Sequence, residues 1–426
     1  MNTRAIGKRS AVDLFVIFIF LNSLGFPGNY TRLLGESFGT LIEYSAFALM
    51  IGSMLLTSAD RFLDILVIDL RAKYWSVYLF AAVLFISSML VTVSIKLQII
   101  TCIRFTVTVF FALWLCNQFS LEAVLERVYV AQIIFVALTL IFVGFFPGYV
   151  HRESAAYADS FVGIFSAKNG AGTELAFGIL VQIVLLRIYA IKHKTPSLLF
   201  VSMLSLQLLL LVLTHNVSIM VCLFVCALYL LFIQNHFPAF HRLPLGFLYI
   251  ACSIGFIAAS LTILPLFTPL FEFLGKDATL TGRVPLWEAA LSLIMDTHTL
   301  SGFGYAMFWR DAHAVNLLHS AFDAHSFMAQ QMSGAHNVLI EMLLNSGVLG
   351  VGAFFITMLD SMKNIRQLEE KRYLWCSSFV LFFMIYGCAE RAFSTYEFMT
   401  MFLFFTLGTA CCREDALPAQ APVSRR

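Results

Sequence analysis

Residues 128–147 read VYVAQIIFVALTLIFVGFFP, a stretch without one charged side chain. Because the hydrocarbon core of a bilayer is about 30 Å thick, roughly 20 apolar residues in helical form are needed to cross it. This stretch therefore predicts a membrane-spanning helix. Such stretches recur along the chain, at 11–27, 38–57, 75–95, 98–117, 128–147, 171–190, 197–214, 217–234, 244–267, 337–358, 373–389 and 396–412.

The composition of the 426 residues supports the same interpretation. Hydrophobic residues make up 60% of the chain and charged residues only 12%, whereas soluble domains carry about 25% charged residues. The net charge of +2 gives no reason to expect nucleic acid as a partner. We therefore predict an all-α polytopic membrane protein with about twelve transmembrane helices and exclude a soluble domain.

The distribution of Lys and Arg predicts the orientation. With the N-terminus in the cytoplasm, the inner connecting segments hold 18 of the 27 Lys and Arg, and the outer segments hold eight. Cytoplasmic loops carry the excess of these residues in membrane proteins. We expect a multi-pass inner-membrane protein with both termini in the cytoplasm. Residues 1–10 form a basic segment before a first span that is kept rather than cleaved.

This topology divides the chain into four regions. Residues 1–267 are expected to form an N-terminal bundle of about nine helices, with a smaller outer loop at 148–168. Residues 268–336 are expected to form one large outer loop containing short helices, and 337–412 about three C-terminal helices. A loop of this length is usually functional rather than a simple connection. The polar tail 413–426 is predicted to be a disordered cytoplasmic segment.

The large loop contains one helical pattern, over residues 284–295. Its apolar positions share a single stripe, with Glu288 off it. Two placements are consistent with this pattern, a helix lying in the membrane interface or a helix packed on the bundle. The stripe comprises Trp287, Ala290, Leu291 and Ile294.

Gly282 and Arg283 precede this helix, close to the expected level of the lipid headgroups. Gly282 permits a close approach of the backbone, and Arg283 offers a fork of donors that matches phosphate oxygens. Helix N-termini also favour anions. Together with Trp287, these residues are candidates for binding a diphosphate. The alternative for Arg283 is an ordinary loop residue at the headgroups.

His336 and Asn337 lie where the large loop enters the next span, and Glu341 follows one helical turn later. A His at this level can act as a general base near neutral pH or orient an acceptor hydroxyl. We predict His336 and Arg283 as catalytic residues, with Asn337 and Glu341 in substrate binding. A His that caps or packs the helix is the alternative.

Three further polar residues are candidates for substrate binding. Lys168 and Asn169 open the span after the smaller outer loop, where they could bind a diphosphate or a sugar hydroxyl. Arg104 lies inside the apolar run 98–117, and charged residues within spans usually mark function. The alternatives are a Lys anchored at the interface and an Arg whose side chain extends to it.

No metal ion and no cofactor are predicted. The His residues of the large loop lack the i, i+4 spacing of a helical zinc site. The chain also lacks an Asp-x-Asp pair of the kind that holds the metal of a sugar nucleotide.

Taken in this order, the segments resemble the O-antigen ligase/polymerase superfamily. That family has Gly-Arg before a Trp-bearing helix in a large periplasmic loop, then His-Asn-x-x-Leu-Glu at the start of the next span, then Gly-x-x-Gly. The Lys-Asn pair within 165–172 is also similar to a family segment. The matching segments are Thr281-Gly282-Arg283 with Trp287, Ser301-Gly302-Phe303-Gly304, His336-Asn337-Val338-Leu339-Ile340-Glu341 and Gly347-Val348-Leu349-Gly350.

The resemblance implies a GT-C-like helical fold and a metal-independent, inverting glycosyltransferase. Its donor would be an oligosaccharide linked to undecaprenyl diphosphate, and its acceptor a glycan or a lipid. Membrane lipid and a chain-length regulator would be further partners. Arg283, Lys168 and Arg104 would supply cations for the diphosphate, and His336 would orient or deprotonate the acceptor hydroxyl.

Two departures bear on the choice within the superfamily. Ligases commonly carry a Ser-Arg pair after the Lys-Asn helix, whereas residues 213–218 read LTHNVS, and Ile340 replaces the Leu of the His-Asn motif. The missing Arg favours a polymerase of a surface polysaccharide over an O-antigen ligase acting on lipid A–core. A flippase of lipid-linked glycan is a second alternative, although the internal repeat of many transporters is not seen.

Overall fold

A computed structural model describes residues 3–23, 35–58, 73–90, 94–152, 160–165, 168–236, 244–269, 279–280, 282–320, 334–390 and 398–411. Over these residues the chain is an all-α polytopic membrane protein. Seven helices are long and apolar enough to cross a membrane, and five shorter helices are also apolar. The twelve predicted spans are thus each present as a hydrophobic helix. The predicted tail 413–426 and Thr281 lie outside the described residues.

The described helices and a hairpin follow one another in chain order. The N-terminal part holds α1 (Thr3–Ser23), α2 (Glu36–Ser58), α3 (Trp75–Met89), α4 (Ile95–Gln118), α5 (Leu121–Phe145) and the single turn α6 (Pro147–Val150). An antiparallel hairpin follows, with His151 of β1 (His151–Arg152) opposite Phe161 of β2 (Ser160–Phe161). Next come α7 (Lys168–Ile191), α8 (Leu198–Leu213), α9 (Val217–Leu228), its continuation to His236 through a π-helical turn, and α10 (Leu245–Thr262).

The remaining elements belong to the large loop and to the C-terminal helices. The loop contains α11 (Arg283–Thr297), a 3-10 turn (Phe308–Arg310) and α12 (Ala312–Ser320). The C-terminal helices are α13 (Val338–Met362), α14 (Glu370–Ala389) and α15 (Phe398–Cys411).

Helix α5 shows why several helices are longer than their apolar runs. It begins at Leu121 rather than at 128, because Ser120 caps it by accepting a hydrogen bond from the Ala123 N–H (3.3 Å). Its charged first turns then form ion pairs with neighbouring helices. These pairs are Arg127 with Asp13 of α1 and Glu122 with Lys192 at the end of α7.

The large loop packs against the bundle as a second hydrophobic core. Its buried side chains come from α11, from the segment that follows it and from α13, and they are Leu286, Trp287, Ala290, Ile294, Phe303, Phe308, Ile340 and Leu344. The helix predicted over 284–295 is present as α11, with Glu288 exposed. Because its stripe faces this core, the structure favours the packed placement over a helix lying flat in the membrane interface.

Candidate functional site

A buried carboxylate, Glu390, joins three of the predicted site residues. The Nη2 of Arg283 donates to Oε1 (3.0 Å), and so does the Nδ2 of Asn169 (3.1 Å). The Nδ1 of His336 lies 2.9 Å from Oε2. Glu390 is 6% exposed. Residues that are distant in sequence and were singled out for their chemistry therefore meet at one point.

The cluster lies where several helix ends converge. Asn169 is in the first turn of α7, Arg283 is the first residue of α11, and Asn337 caps the N-terminus of α13. Asn216 caps α9 and donates from Nδ2 to the Oδ1 of Asn169 (3.3 Å). Helix N-termini carry a partial positive charge, so four of them add to the charge of Arg283. This end of the bundle is suited to an anion.

The local backbone explains how the chain reaches this geometry. Gly282 caps α11 with φ +83, in the left-handed region where a glycine has no steric cost. A Cβ on Gly172 would lie 3.1 Å from Asn216, so this glycine leaves room for the Asn216 amide. His336 itself has φ +49, which is uncommon for a residue with a side chain. Such strained positions cluster at functional sites.

The charge of Glu390 is set by two opposing effects. Burial would raise the pKa of this carboxyl, but the hydrogen bond from His336 and the positive charge of Arg283 outweigh burial and hold the pKa below its usual value. Glu390 is therefore ionised at neutral pH. The His336 side chain contacts Glu390 and keeps 24% of its surface exposed.

The peptide before His336 is clamped from both sides. The indole Nε1 of Trp287 donates to the Ala335 carbonyl (2.7 Å), and the Ala335 N–H donates to the Oε2 of Glu341 (2.8 Å). The other oxygen of Glu341 accepts from the Nε1 of Trp309 (2.7 Å). Trp287 and Glu341 were predicted to bind substrate. Both are buried, 0% and 5% exposed, and these contacts hold Ala335, the residue that precedes His336.

The clamp leads to a prediction for Trp287→Phe. Phenylalanine keeps an aromatic ring in the loop core but cannot donate to the Ala335 carbonyl, and an unsatisfied buried group costs about 1–3 kcal/mol. We expect a lower melting temperature in detergent and a roughly tenfold slower reaction, since a small misplacement of a catalytic group is costly. Trp75→Phe is a control, because Trp75 is 45% exposed. Unchanged stability and rate in Trp287→Phe would contradict the clamp.

The remaining predicted residues lie in different places. Lys168 is half-buried at the start of α7, next to Asn169, at the edge of the cluster. Asn337 donates from Nδ2 to the Cys388 carbonyl (3.2 Å), which ties the start of α13 to the end of α14. Arg104 forms an ion pair with Glu43 (2.7 Å) between α4 and α2. The pairing of these two charges explains how both are accommodated within spans, and it places Arg104 with α2 rather than with Glu390.

Sequence reasoning did not identify Glu390 or Asn216 as site residues. Glu390 follows the apolar run 373–389, and an acidic residue at the same end of a span as the His-Asn motif was the available signal. Asn216 lies in the stretch 213–218, which was considered only for its missing Arg.

Among the described residues, no group of three or more His, Cys, Asp or Glu is arranged to hold a metal ion.

Comparison with known proteins supports the resemblance over part of the chain. Residues 198–355 match the family model described as O-Antigen ligase. No curated protein matches the chain. The matched region runs from α8 into α13 and includes Arg283 and His336, whereas Asn169 and Glu390 lie outside it. The predicted resemblance to the O-antigen ligase/polymerase superfamily is confirmed over residues 198–355.

Proposed function

We propose that the protein is a polymerase of a bacterial surface polysaccharide. It would transfer oligosaccharide units from undecaprenyl diphosphate to a growing glycan at the periplasmic face of the inner membrane. The family acts on lipid-linked glycans through glycosyltransferase-like chemistry. The observation that carries the proposal is the His336–Glu390–Arg283 cluster, because it joins a candidate base to a candidate phosphate ligand at one end of the bundle.

In the proposed mechanism, Glu390 accepts a hydrogen bond from the Nδ1–H of His336 and leaves Nε2 as the base. The acceptor hydroxyl oxygen attacks the anomeric carbon of the donor sugar, and its proton passes to Nε2. The bond between the anomeric carbon and the phosphate oxygen breaks, and the electron pair leaves with the diphosphate. Attack from the side opposite the leaving group inverts the anomeric centre.

Arg283 would stabilise the leaving diphosphate. A guanidinium has five N–H donors, and the contact with Glu390 engages Nη2. The other donors match phosphate oxygens, and the N-termini of α7, α9, α11 and α13 add favourable dipoles. A diphosphate is already a good leaving group, so this electrostatic stabilisation supports a metal-independent reaction in a GT-C-like fold. Lys168 would contribute a second cation at the edge of the cluster.

Two observations bear on the acceptor. The absence of Arg from 213–218 favours the polymerase, and the structure adds that Asn216 there holds Asn169 against Glu390. The description of the matched family as O-Antigen ligase favours the second candidate, a ligase that transfers glycan to lipid A–core. The two functions share the donor and the chemistry of the cluster and differ in the acceptor.

The glycans of a deletion strain distinguish these functions. Loss of a polymerase leaves lipid A–core carrying a single repeat unit, because ligation continues without elongation. Loss of a ligase leaves bare core, with polymer retained on its carrier. We expect the first profile. Single units that accumulate on the cytoplasmic side would instead indicate a flippase and contradict a transferase.

A further inference from the structure

A segment of the large loop, residues 299–305, closes a break in α13. Gly347 has φ +61 and ψ −163, which interrupts the helix at that residue. The backbone groups around the break are paired with the loop instead of with the helix. These hydrogen bonds join the Phe303 N–H to the Leu344 carbonyl (2.7 Å), the Val348 N–H to the Thr299 carbonyl (2.9 Å) and the Leu349 N–H to the Leu300 carbonyl (3.2 Å).

Two glycines allow the loop and the helix to touch through their backbones. A Cβ on Gly302 would lie 2.5 Å from the Ser346 nitrogen, and one on Gly347 would lie 2.3 Å from the Leu300 carbonyl oxygen. Both residues also have positive φ, +64 and +61. The contact is therefore restricted to glycine at both positions. The segments 301–304 and 347–350, which are separate in sequence, form one interlocked structure.

The interlock lies at membrane depth. Helix α13 has 25 residues and is about 37 Å long, which exceeds a hydrocarbon core of about 30 Å by roughly 7 Å. Gly347 is about 14 Å from the start of the helix at Val338. Even if all the surplus length projects at that end, Gly347 lies roughly 7 Å inside the hydrocarbon.

The short helix α3 gives a second indication of this depth. Its 15 residues span about 22 Å, less than the hydrocarbon core. At its C-terminal end, the Oγ of the buried Ser88 accepts a hydrogen bond from the Tyr305 N–H (2.8 Å). The loop segment thus packs at the end of α3, within the part of the hydrocarbon core that this short helix does not span.

The large exposed side chains around the interlock are apolar, and the smaller exposed ones include the polar Asp296 and Thr299. Leu300 is 66% exposed and lies beside Val348 (50%) and Leu349 (54%) of α13, and Met295 of α11 is 73% exposed. The loop side chains continue the apolar surface of a spanning helix. Large apolar side chains with this exposure are favourable against acyl chains and unfavourable in water.

We propose that residues 299–305 are a re-entrant segment that enters the half of the bilayer nearer the site and contacts lipid acyl chains. Non-helical backbone at this depth occurs only where its polar groups are satisfied within the protein, and the pairing with the break in α13 provides this. The large loop is therefore more than a cover over the site. The inference is independent of which glycan is transferred, because it concerns only the packing of the loop in lipid.

Photo-crosslinking to lipid tests this inference. Benzoylphenylalanine is incorporated at Leu300, at Val348 as the lipid-facing control, or at the exposed Asn316 of α12 as the water-facing control. The full chain is reconstituted in phospholipid vesicles and irradiated, and phospholipid adducts are measured by intact mass. All three side chains are exposed, so the substitutions preserve the fold. We expect adducts at 300 and 348 at roughly ten times the yield at 316. Equal yields at 300 and 316 would overturn the proposal.

Discussion

Replacing His336 by Ala is expected to reduce glycan transfer by about 10²–10⁴-fold, the usual contribution of a positioned general base. Without the imidazole, the acceptor hydroxyl has no base at the cluster. Arg283→Ala is expected to reduce transfer by about 10²–10³-fold through lost stabilisation of the leaving group. The measurement is polymer made by membranes that contain equal amounts of wild-type and variant protein.

Two matched controls lie in the same loop. His313 and Arg310 are exposed, so His313→Ala and Arg310→Ala remove the same side chains away from the cluster. Both should transfer glycan at the wild-type rate. Full-length polymer from His336→Ala or Arg283→Ala, at wild-type amounts of membrane protein, would exclude the proposed chemistry. A structural subunit of a secretion complex would tolerate the loss of both residues.

The architecture could be predicted from sequence because each helix depends on a local property, a long run of apolar residues. The two closely spaced pairs, α3 with α4 and α8 with α9, were separated correctly because a few polar residues interrupt their runs. The predicted positions of the helix ends were less accurate. Charged turns such as those of Glu122 and Arg127 continue helices beyond the apolar layer, and their partners lie on other helices.

The site was predictable where its residues lie in short motifs. Arg283, His336 and Asn169 were singled out by position and chemistry, and the structure brings them together at Glu390. Glu390 is 54 residues from His336 in the chain, so this contact depends on how α13 packs against α14. The position of Glu390 after an apolar run was a signal for its level in the membrane, but it did not indicate which residues Glu390 contacts.

The side-chain partners of residues within helices could not be predicted from the sequence. Asn337 and Glu341 were expected to share a face toward the substrate. In the structure, Glu341 turns back to the Ala335 N–H and to Trp309. Arg104 was predicted from its depth in the membrane, but its partner Glu43 lies on another helix and could not be assigned from spacing. Residue type and spacing alone do not indicate these hydrogen-bond partners.

Glu390→Gln is expected to have an effect of similar size to loss of the base. The amide keeps the volume of the carboxylate, but it cannot balance the charge of Arg283 or stabilise a protonated His336. In Ser-His-Asp hydrolases, loss of the carboxylate that orients the imidazole costs about 10⁴ in rate. We expect a loss of about 10²–10⁴-fold in kcat with a smaller change in KM. Glu288→Gln, on the exposed face of α11, is the matched control.

The pH dependence of stability separates this role from simple packing. The folded-state pKa of Glu390 is below its usual value of 4.5. Its contribution to stability is therefore fully present above that value and is lost as the pH falls through the folded pKa. The wild-type melting temperature should fall on acidification below about pH 4.5. In Glu390→Gln this part of the fall should be absent, since glutamine does not titrate.

The kcat and the pH dependence of the melting temperature together show whether Glu390 acts through its charge. If the carboxylate only fills space, Glu390→Gln retains activity, and its melting temperature follows pH as in the wild type. If it holds His336 and Arg283 in place, kcat and the acid-dependent part of stability are lost in the same variant. Glu390→Asp keeps the charge on a side chain shorter by one methylene, so it should regain the pH dependence while restoring only part of kcat. The two effects are expected to differ because the electrostatic attraction between the carboxylate and Arg283 depends weakly on distance. The orientation of the imidazole, and with it kcat, depends on distance strongly.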